Sequence, residues 1–245
     1  MKYWLNPKPA DADVFASQVQ SVCEAYQEAM GLFKTQGIHT VSIDEQTGIQ
    51  ALERIAGDKL VRVGQIARLE YEYKRHGTIG LFGNLHIATG KILSPLLRAT
   101  RREEDFVENI DHLVRTAPTA SWRFIVDNLN THFSKSLVRY VASSCGLDQD
   151  LGVKGRHGIL KSVATRRAFL EDASHRLRFI YTPKHTSWLN QIEIWFGVLR
   201  SKLTRRGSFT SIEDLSHRIQ DFIEYYNATM ARPYNWTYTG RLLCV

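Results

Sequence analysis

Three acidic residues stand where an α/β protein displays chemistry. Asp44 closes the run Thr40-Val41-Ser42-Ile43, and Asp127 closes Trp122-Arg123-Phe124-Ile125-Val126. Both runs are rich in β-branched or aromatic residues and read as strands. The end of such a strand is where a sheet presents side chains to a cleft. A carboxylate at the rim of a core needs a cation, donors or a metal to offset its desolvation. Glu193 lies in the segment 188–204, which reads as a helix with Leu189, Ile192, Phe196, Leu199 and Leu203 on one face. It falls a quarter turn from that stripe. Three carboxylates from different elements suit Mg²⁺, which takes oxygen ligands and keeps room for water and phosphate oxygens. Two such ions can stabilise the attacking and leaving oxygens of a phosphodiester displacement. Each acid alone has a plainer reading. Asp127-Asn128 could open a turn or cap a helix near Thr131, and Glu193 could be an exposed helical glutamate paired with Arg200.

Other chemistries lack their patterns. Gly83 to Lys91 has the wrong spacing for a phosphate-binding loop, and Ile92 follows the lysine. The histidines form no HExxH, and no GxSxG elbow exists. Cys23, Cys145 and Cys244 are far apart and odd in number, which argues against a disulfide framework or a structural zinc site. His185 could help position substrate or simply shape its loop.

The elements that must position these acids follow from periodicity. Residues 12–33 read as a helix, with Gly31 as its stop. Leu69, Tyr71 and Tyr73 alternate with Glu70, Glu72 and Lys74 as in a strand, which continues over 78–87. Thr89-Gly90 reads as a hairpin turn into a strand over 91–97. Residues 103–115 read as a helix with acids in its first turn, and 131–143 as another. A short strand over 178–181 ends at Pro183. The last helix, 211–227, is expected to start from a Thr210–Glu213 capping box. The order is a hairpin-rich set of strands, then helix, strand, helix, strand, helix. It predicts one α/β domain with a mixed sheet flanked by helices.

The 245 residues carry a net charge of +7. Residues 144–210 alone hold 12 basic and 5 acidic side chains. Such concentration is an electrostatic footprint for a polyanion, or else a solvated basic surface. Gly146, Gly152, Gly155 and Gly158 break regularity over 144–176, which reads as a basic insertion before the last acid-bearing helix. No apolar run is long enough to span a bilayer, and the first residues lack a signal peptide's apolar stretch. A cytoplasmic protein with no membrane partner is expected.

Three blocks carry a resemblance. Val41-Ser42-Ile43-Asp44-Glu45-Gln46-Thr47-Gly48, Ile125-Val126-Asp127-Asn128-Leu129-Asn130-Thr131-His132 and Tyr181-Thr182-Pro183-Lys184-His185-Thr186-Ser187-Trp188-Leu189-Asn190-Gln191-Ile192-Glu193 resemble the acid-bearing blocks of bacterial insertion-sequence transposases. The group is the six-thirty family, allied to the mariner elements. The resemblance spans nearly the whole chain. It implies an RNase H-like, retroviral-integrase-like fold and a DDE endonuclease using two Mg²⁺ ions, with Mn²⁺ able to substitute. By block matching, Asp44, Asp127 and Glu193 would be catalytic metal ligands. Double-stranded DNA would be the partner, both element ends and target, bound by a homodimer in the bacterial nucleoid. Arg75, His76, Lys154, Arg156, Lys161, Arg166, Arg167, Lys184, His185 and Arg200 would contact it. The gap from Asp127 to Glu193 is longer than usual for the group, because residues 144–176 intervene. Residues 1–11, with Tyr3, Trp4, Pro7 and Pro9, would be a linker from a missing N-terminal DNA-binding region, and 12–245 the catalytic domain. The competing readings are a non-catalytic DNA-binding remnant that regulates intact transposase, and another RNase H-like nuclease such as a junction resolvase.

Overall fold

The alternation within the strands decides how the sheet divides two cores. The computed structural model describes residues 12–238, so the expected linker over 1–11 lies outside the described residues. A five-stranded sheet runs β3-β2-β1-β4-β5. Its strands are β1 (His39–Arg54), β2 (Tyr73–His86), β3 (Leu96–Arg98), β4 (Trp122–Val126) and β5 (Leu177–Tyr181). β1 pairs antiparallel with β2, and β2 with β3. β1 pairs parallel with β4, and β4 with β5. The sheet is therefore mixed, as expected.

Successive side chains of a strand face opposite ways. On one face, Ile49, Ala51, Leu81, Leu85, Ile125 and Ile180 pack against α1 (Ala12–Gln36), α5 (Ile192–Leu199) and α6 (Ile212–Thr229). On the other, Val41, Ile43, Phe82, Phe124, Val126, Phe179 and Tyr181 pack against α2 (Glu103–Thr116), α3 (Lys135–Ser144) and α4 (Val163–Glu171). Each fully buried aliphatic or aromatic side chain in these cores contributes about 1.5–3 kcal/mol. Among the described residues no helix is long and apolar enough to cross a membrane.

Several boundaries differ from the sequence reading. α1 runs through Gly31 to Gln36 and stops at Gly37, whose φ of +67° suits glycine. The strand expected from Leu69 starts only at Tyr73, and Leu69 and Tyr71 are exposed. The turn at Thr89-Gly90 forms, with Gly90 N donating to His86 O. The expected strand after it is reduced to a single bridge, Leu85 with Ile92, and the three residues of β3. The helix expected over 131–143 is split: a 3₁₀ turn, Asn130–Phe133, precedes α3, and the Ser134 hydroxyl caps α3 by accepting from Leu137 N. The helix expected from Trp188 begins at Ile192, after a 3₁₀ turn over Ser187–Leu189, and ends in a π turn over Arg200–Thr204. Ser211 rather than Thr210 caps α6, accepting from Asp214 N. The stretch 144–176 is no loose appendage, for Leu160, Phe169 and Leu170 complete the second core. Its Gly152 and Gly158 lie so close that a Cβ on Gly152 would meet His157 O at 2.2 Å.

Candidate active site at the ends of β1 and β4

The parallel register sets two acids side by side. Ser42 pairs with Ile125 across β1 and β4. Two residues further along each strand stand Asp44 and Asp127, so they share a level on neighbouring strands about 4.8 Å apart. Asp44 lies within β1, opposite Gly83 of β2. Asp127 follows the last residue of β4, so its main chain is free to turn. Leu129 N donates to Asp127 Oδ1 at 2.9 Å, which makes the aspartate a turn former as well.

Glu193 reaches this edge because the start of α5 is fastened to β1. Ser42 Oγ accepts from Ile192 N at 3.0 Å and donates to Asn190 Oδ1. Asn190 Nδ2 donates to Ile43 O at 2.8 Å and reaches Asp44 Oδ2 at 3.3 Å. The Tyr26 hydroxyl donates to Leu189 O at 2.9 Å and accepts from Gln191 N at 3.0 Å. Gly83 completes the approach. A Cβ there would stand 2.7 Å from the Phe196 ring, so only glycine lets α5 lie this close to the sheet beside Asp44.

The electrostatics are asymmetric. Burial pushes the Asp44 carboxyl up to about 7, and the charges of Asp127, Glu45 and Glu193 push the same way. Glu193, though exposed, is likewise raised, by partial desolvation against the sheet edge and by Asp127. These mutual effects show that the three carboxylates share one electrostatic neighbourhood. Asp127 goes down instead. Burial would raise it, but the hydrogen bond and charge of His132, Leu129 N and the charge of Arg101 outweigh that. His132 is fully buried between Asp127 and Glu45. Burial alone would lower it, yet its two acidic partners hold it at about 9. Among the described residues, no group of three or more His, Cys, Asp or Glu side chains is arranged to hold a metal ion as it stands.

The cations expected on DNA separate into two kinds. Lys154, Arg156, Lys161, Lys184, His185 and Arg200 are exposed. His185 holds a left-handed φ of +63°, unusual for a side chain other than glycine. Others are engaged within the fold. Arg166 is buried and donates to Phe133 O at 2.6 Å and Leu160 O at 3.2 Å, so its guanidinium serves the core rather than a surface. Arg167 stacks 4.9 Å over Tyr181, pairs with Glu171 and donates to Asn128 Oδ1 at 3.2 Å, beside Asp127. Arg75 is exposed as well, lying over its near neighbour Tyr73, and His76 pairs with Glu53 at 2.7 Å, both on the β1–β2 hairpin. Arg200 forms no ion pair with Glu193, and Glu193 is exposed. Glu45, His132 and Asn190 stand within the three acid-bearing blocks, but no local pattern gives them a role, and Arg101 lies outside those blocks. Only the short distance of His132 from Asp127 in the chain hints at its part.

A family model described as DDE superfamily endonuclease matches residues 39–216. The chain belongs to the DDE superfamily endonucleases. The three acids all fall within the matched span. Among curated proteins, none matches the sequence. Among solved structures, this DDE domain is similar to the Mos1 transposase paired-end complex with left transposon end, with TM-score 0.50 and 14% identity over 96% of this chain and 61% of that one. It is also similar to the Mos1 mariner paired end complex with Mn, with TM-score 0.52 and 14% identity over the same shares. The likeness establishes the RNase H-like fold expected from the sequence. The chain spans 61% of the length of those Mos1 chains.

Proposed function

We propose that this chain is the catalytic domain of a DNA transposase of the insertion-sequence group allied to mariner. It would cut phosphodiester bonds at element ends and join the freed 3′ hydroxyls to target DNA. The observation that carries the reading is the level placement of Asp44 and Asp127 on adjacent parallel strands, with the helix of Glu193 pinned beside them, in a DDE family member.

The donor set fits divalent cations by its chemistry. All three side chains offer oxygens, and Asp44 is held up near 7 by burial and by its acidic neighbours, a strain that a nearby cation relieves. Asp44, Asp127 and Glu193 would hold Mg²⁺ or Mn²⁺, the latter named with the Mos1 relative. Bound there, the two ions would activate the attacking oxygen and stabilise the leaving one. The chain's own part is orientation. Asn190 and Glu45 N fix the Asp44 carboxylate, His132 and Leu129 N fix that of Asp127, and Ser42 and Tyr26 fix the helix bearing Glu193. Lys154, Arg156, Lys161, Lys184 and Arg200 would lie along DNA phosphates, and a homodimer would hold two ends together.

The test is nicking of DNA bearing the element's ends with Mg²⁺ or Mn²⁺, using Asp127→Asn as the control. Cleavage by the wild type alone is expected. DNA binding with no metal-dependent cleavage, even when N-terminal DNA-binding modules are supplied, would refute catalysis and favour a regulatory remnant.

A further inference from the structure

The most constrained polar group near the acids belongs to none of the three. His132 is wholly buried, and the Phe106 ring covers it with centroids 4.1 Å apart. Its Nδ1 lies 2.9 Å from Asp127 Oδ1 and 3.2 Å from Asp127 O. Its Nε2 lies 3.0 Å from Glu45 Oε1. Its own carbonyl accepts from the Tyr181 hydroxyl at 2.8 Å, which ties its main chain to β5. With a carboxylate at each nitrogen, both N–H groups donate.

Two features show that this is more than core filling. The Glu45 side chain is only 6% exposed. A carboxylate that deep is costly without a partner, and an apolar residue would fill the space more cheaply. His132 is that partner. The second feature is where the bonds converge. Leu129 N and His132 Nδ1 both reach Asp127 Oδ1, and among the described residues no hydrogen bond reaches Oδ2. A backbone donor and an ion pair on the same oxygen limit rotation of the carboxylate, and the other oxygen has no hydrogen bond from a described residue. The chain Glu45–His132–Asp127 also bridges β1 to the end of β4, the two strands that carry the paired aspartates.

We propose that His132 is a positioning residue. Its imidazole, anchored by Glu45, orients the Asp127 carboxylate for the divalent cation. This rests on the reading of Asp44, Asp127 and Glu193 as the metal site.

Two substitutions separate the bonds. In His132→Asn the amide nitrogen falls where Nδ1 was, so it keeps the bond to Asp127 and loses Glu45. In His132→Gln it falls where Nε2 was, so it keeps Glu45 and loses Asp127. Mn²⁺ binding to the full chain is measured by electron paramagnetic resonance, alongside thermal melting, with Asp127→Asn as the site control. Both His132 variants are expected to melt lower. Mn²⁺ affinity is expected to fall about tenfold or more in His132→Gln but to stay within about threefold in His132→Asn, the range seen when groups behind metal ligands are altered. Equal loss in both variants, or affinity that simply follows melting temperature, would show a structural role only. Wild-type protein lacking Mn²⁺ binding that Asp127→Asn abolishes would sink the metal reading, and this inference with it. Proton NMR of the wild type gives a check that needs no folded variant. The Nδ1–H resonance of His132 is expected to move on Mg²⁺ saturation, and a resonance that stays put overturns the proposal.

Discussion

Gly83→Ala tests whether the acid-bearing helix is held by close contact with the sheet. The added Cβ would stand 2.7 Å from Phe196 Cε1, 2.8 Å from Cζ and 3.1 Å from Ile192 Cδ1. Carbon atoms rest about 3.5–4.0 Å apart, so the overlap with the ring is roughly 1 Å. Phe196 is buried among Trp195, Ile192 and the sheet, so its ring has no solvent to swing into. α5 must lift from β2. Overpacking of this kind costs about 1–3 kcal/mol. For a chain of this size that is a loss of about 2–4 °C per kcal/mol in melting temperature. Glu193 sits in the first turn of the lifted helix, and Asp44 lies directly across from Gly83. Misplacing a reacting group by about 1 Å can cost on the order of 100-fold in rate. The assay pairs thermal melting with metal-dependent nicking. Phe196→Leu removes the clashing ring atoms, so the double variant is expected to recover most of both losses. Wild-type melting and nicking in Gly83→Ala would refute the reasoning, as would a double variant no better than the single one.

Three further predictions concern groups away from the acids, two of them buried and one on the surface. Burial holds His86 down at about 4, well below its ordinary 6.5, with the charge of His39 adding to the effect. Between those values only the unfolded chain takes the proton, so stability is full above 6.5 and falls as pH drops toward 4; the shift corresponds to about 3 kcal/mol. His86→Asn is expected to flatten melting temperature over that window, and an unchanged slope would exclude His86 as the cause. Arg166→Met leaves Phe133 O and Leu160 O without their donor, at about 1–3 kcal/mol for each buried group. It is expected to lower melting temperature without altering the salt dependence of DNA binding. Lys154→Glu with Lys161→Glu should do the reverse, reducing the slope of log affinity against log salt by about 2. A slope that responds to Arg166 and not to the lysines would invert the assignment.

What the sequence shows best is what burial writes into local pattern. β4 and β5 are covered on both faces, so their apolar runs stand out, and the acids that end or interrupt strands stand out with them. Alternation alone misleads where nothing covers the strand. Leu69 and Tyr71 alternate with charged residues, yet they are 62% and 87% exposed and form no ladder. The start of α5 was misplaced for a related reason. A 3₁₀ turn at Ser187–Leu189 spaces its side chains nearly as a helix does, so Leu189 joins the apolar stripe although the helix starts at Ile192. Arg166 sits in a basic stretch that reads as solvated, and the carbonyls it serves are contributed by Phe133 and Leu160 only after folding. His132 depends on Glu45, 87 residues away, a pairing that no local period can contain.

The two aspartates sharpen this point. They are the same residue type, at the same level of neighbouring strands, yet their carboxyls move in opposite directions. Desolvation acts against the charge of both. Asp44 receives the Glu45 N–H and the distant amide of Asn190, which do not offset burial and three acidic neighbours. Asp127 receives a charged imidazole at 2.9 Å, a backbone N–H and the field of Arg101. The difference arises from which elements fold over each strand end: the turn before α5 brings the Asn190 amide and α5 another carboxylate to Asp44, while the 3₁₀ turn after β4 brings His132 to Asp127. The same arrangement explains how four acids, Asp44, Glu45, Asp127 and Glu193, can be gathered at one sheet edge in a folded chain. One imidazolium offsets one of the two negative charges bound to it, and the field of Arg101 adds to that at Asp127, while Asp44 and Glu193 have no such cation beside them.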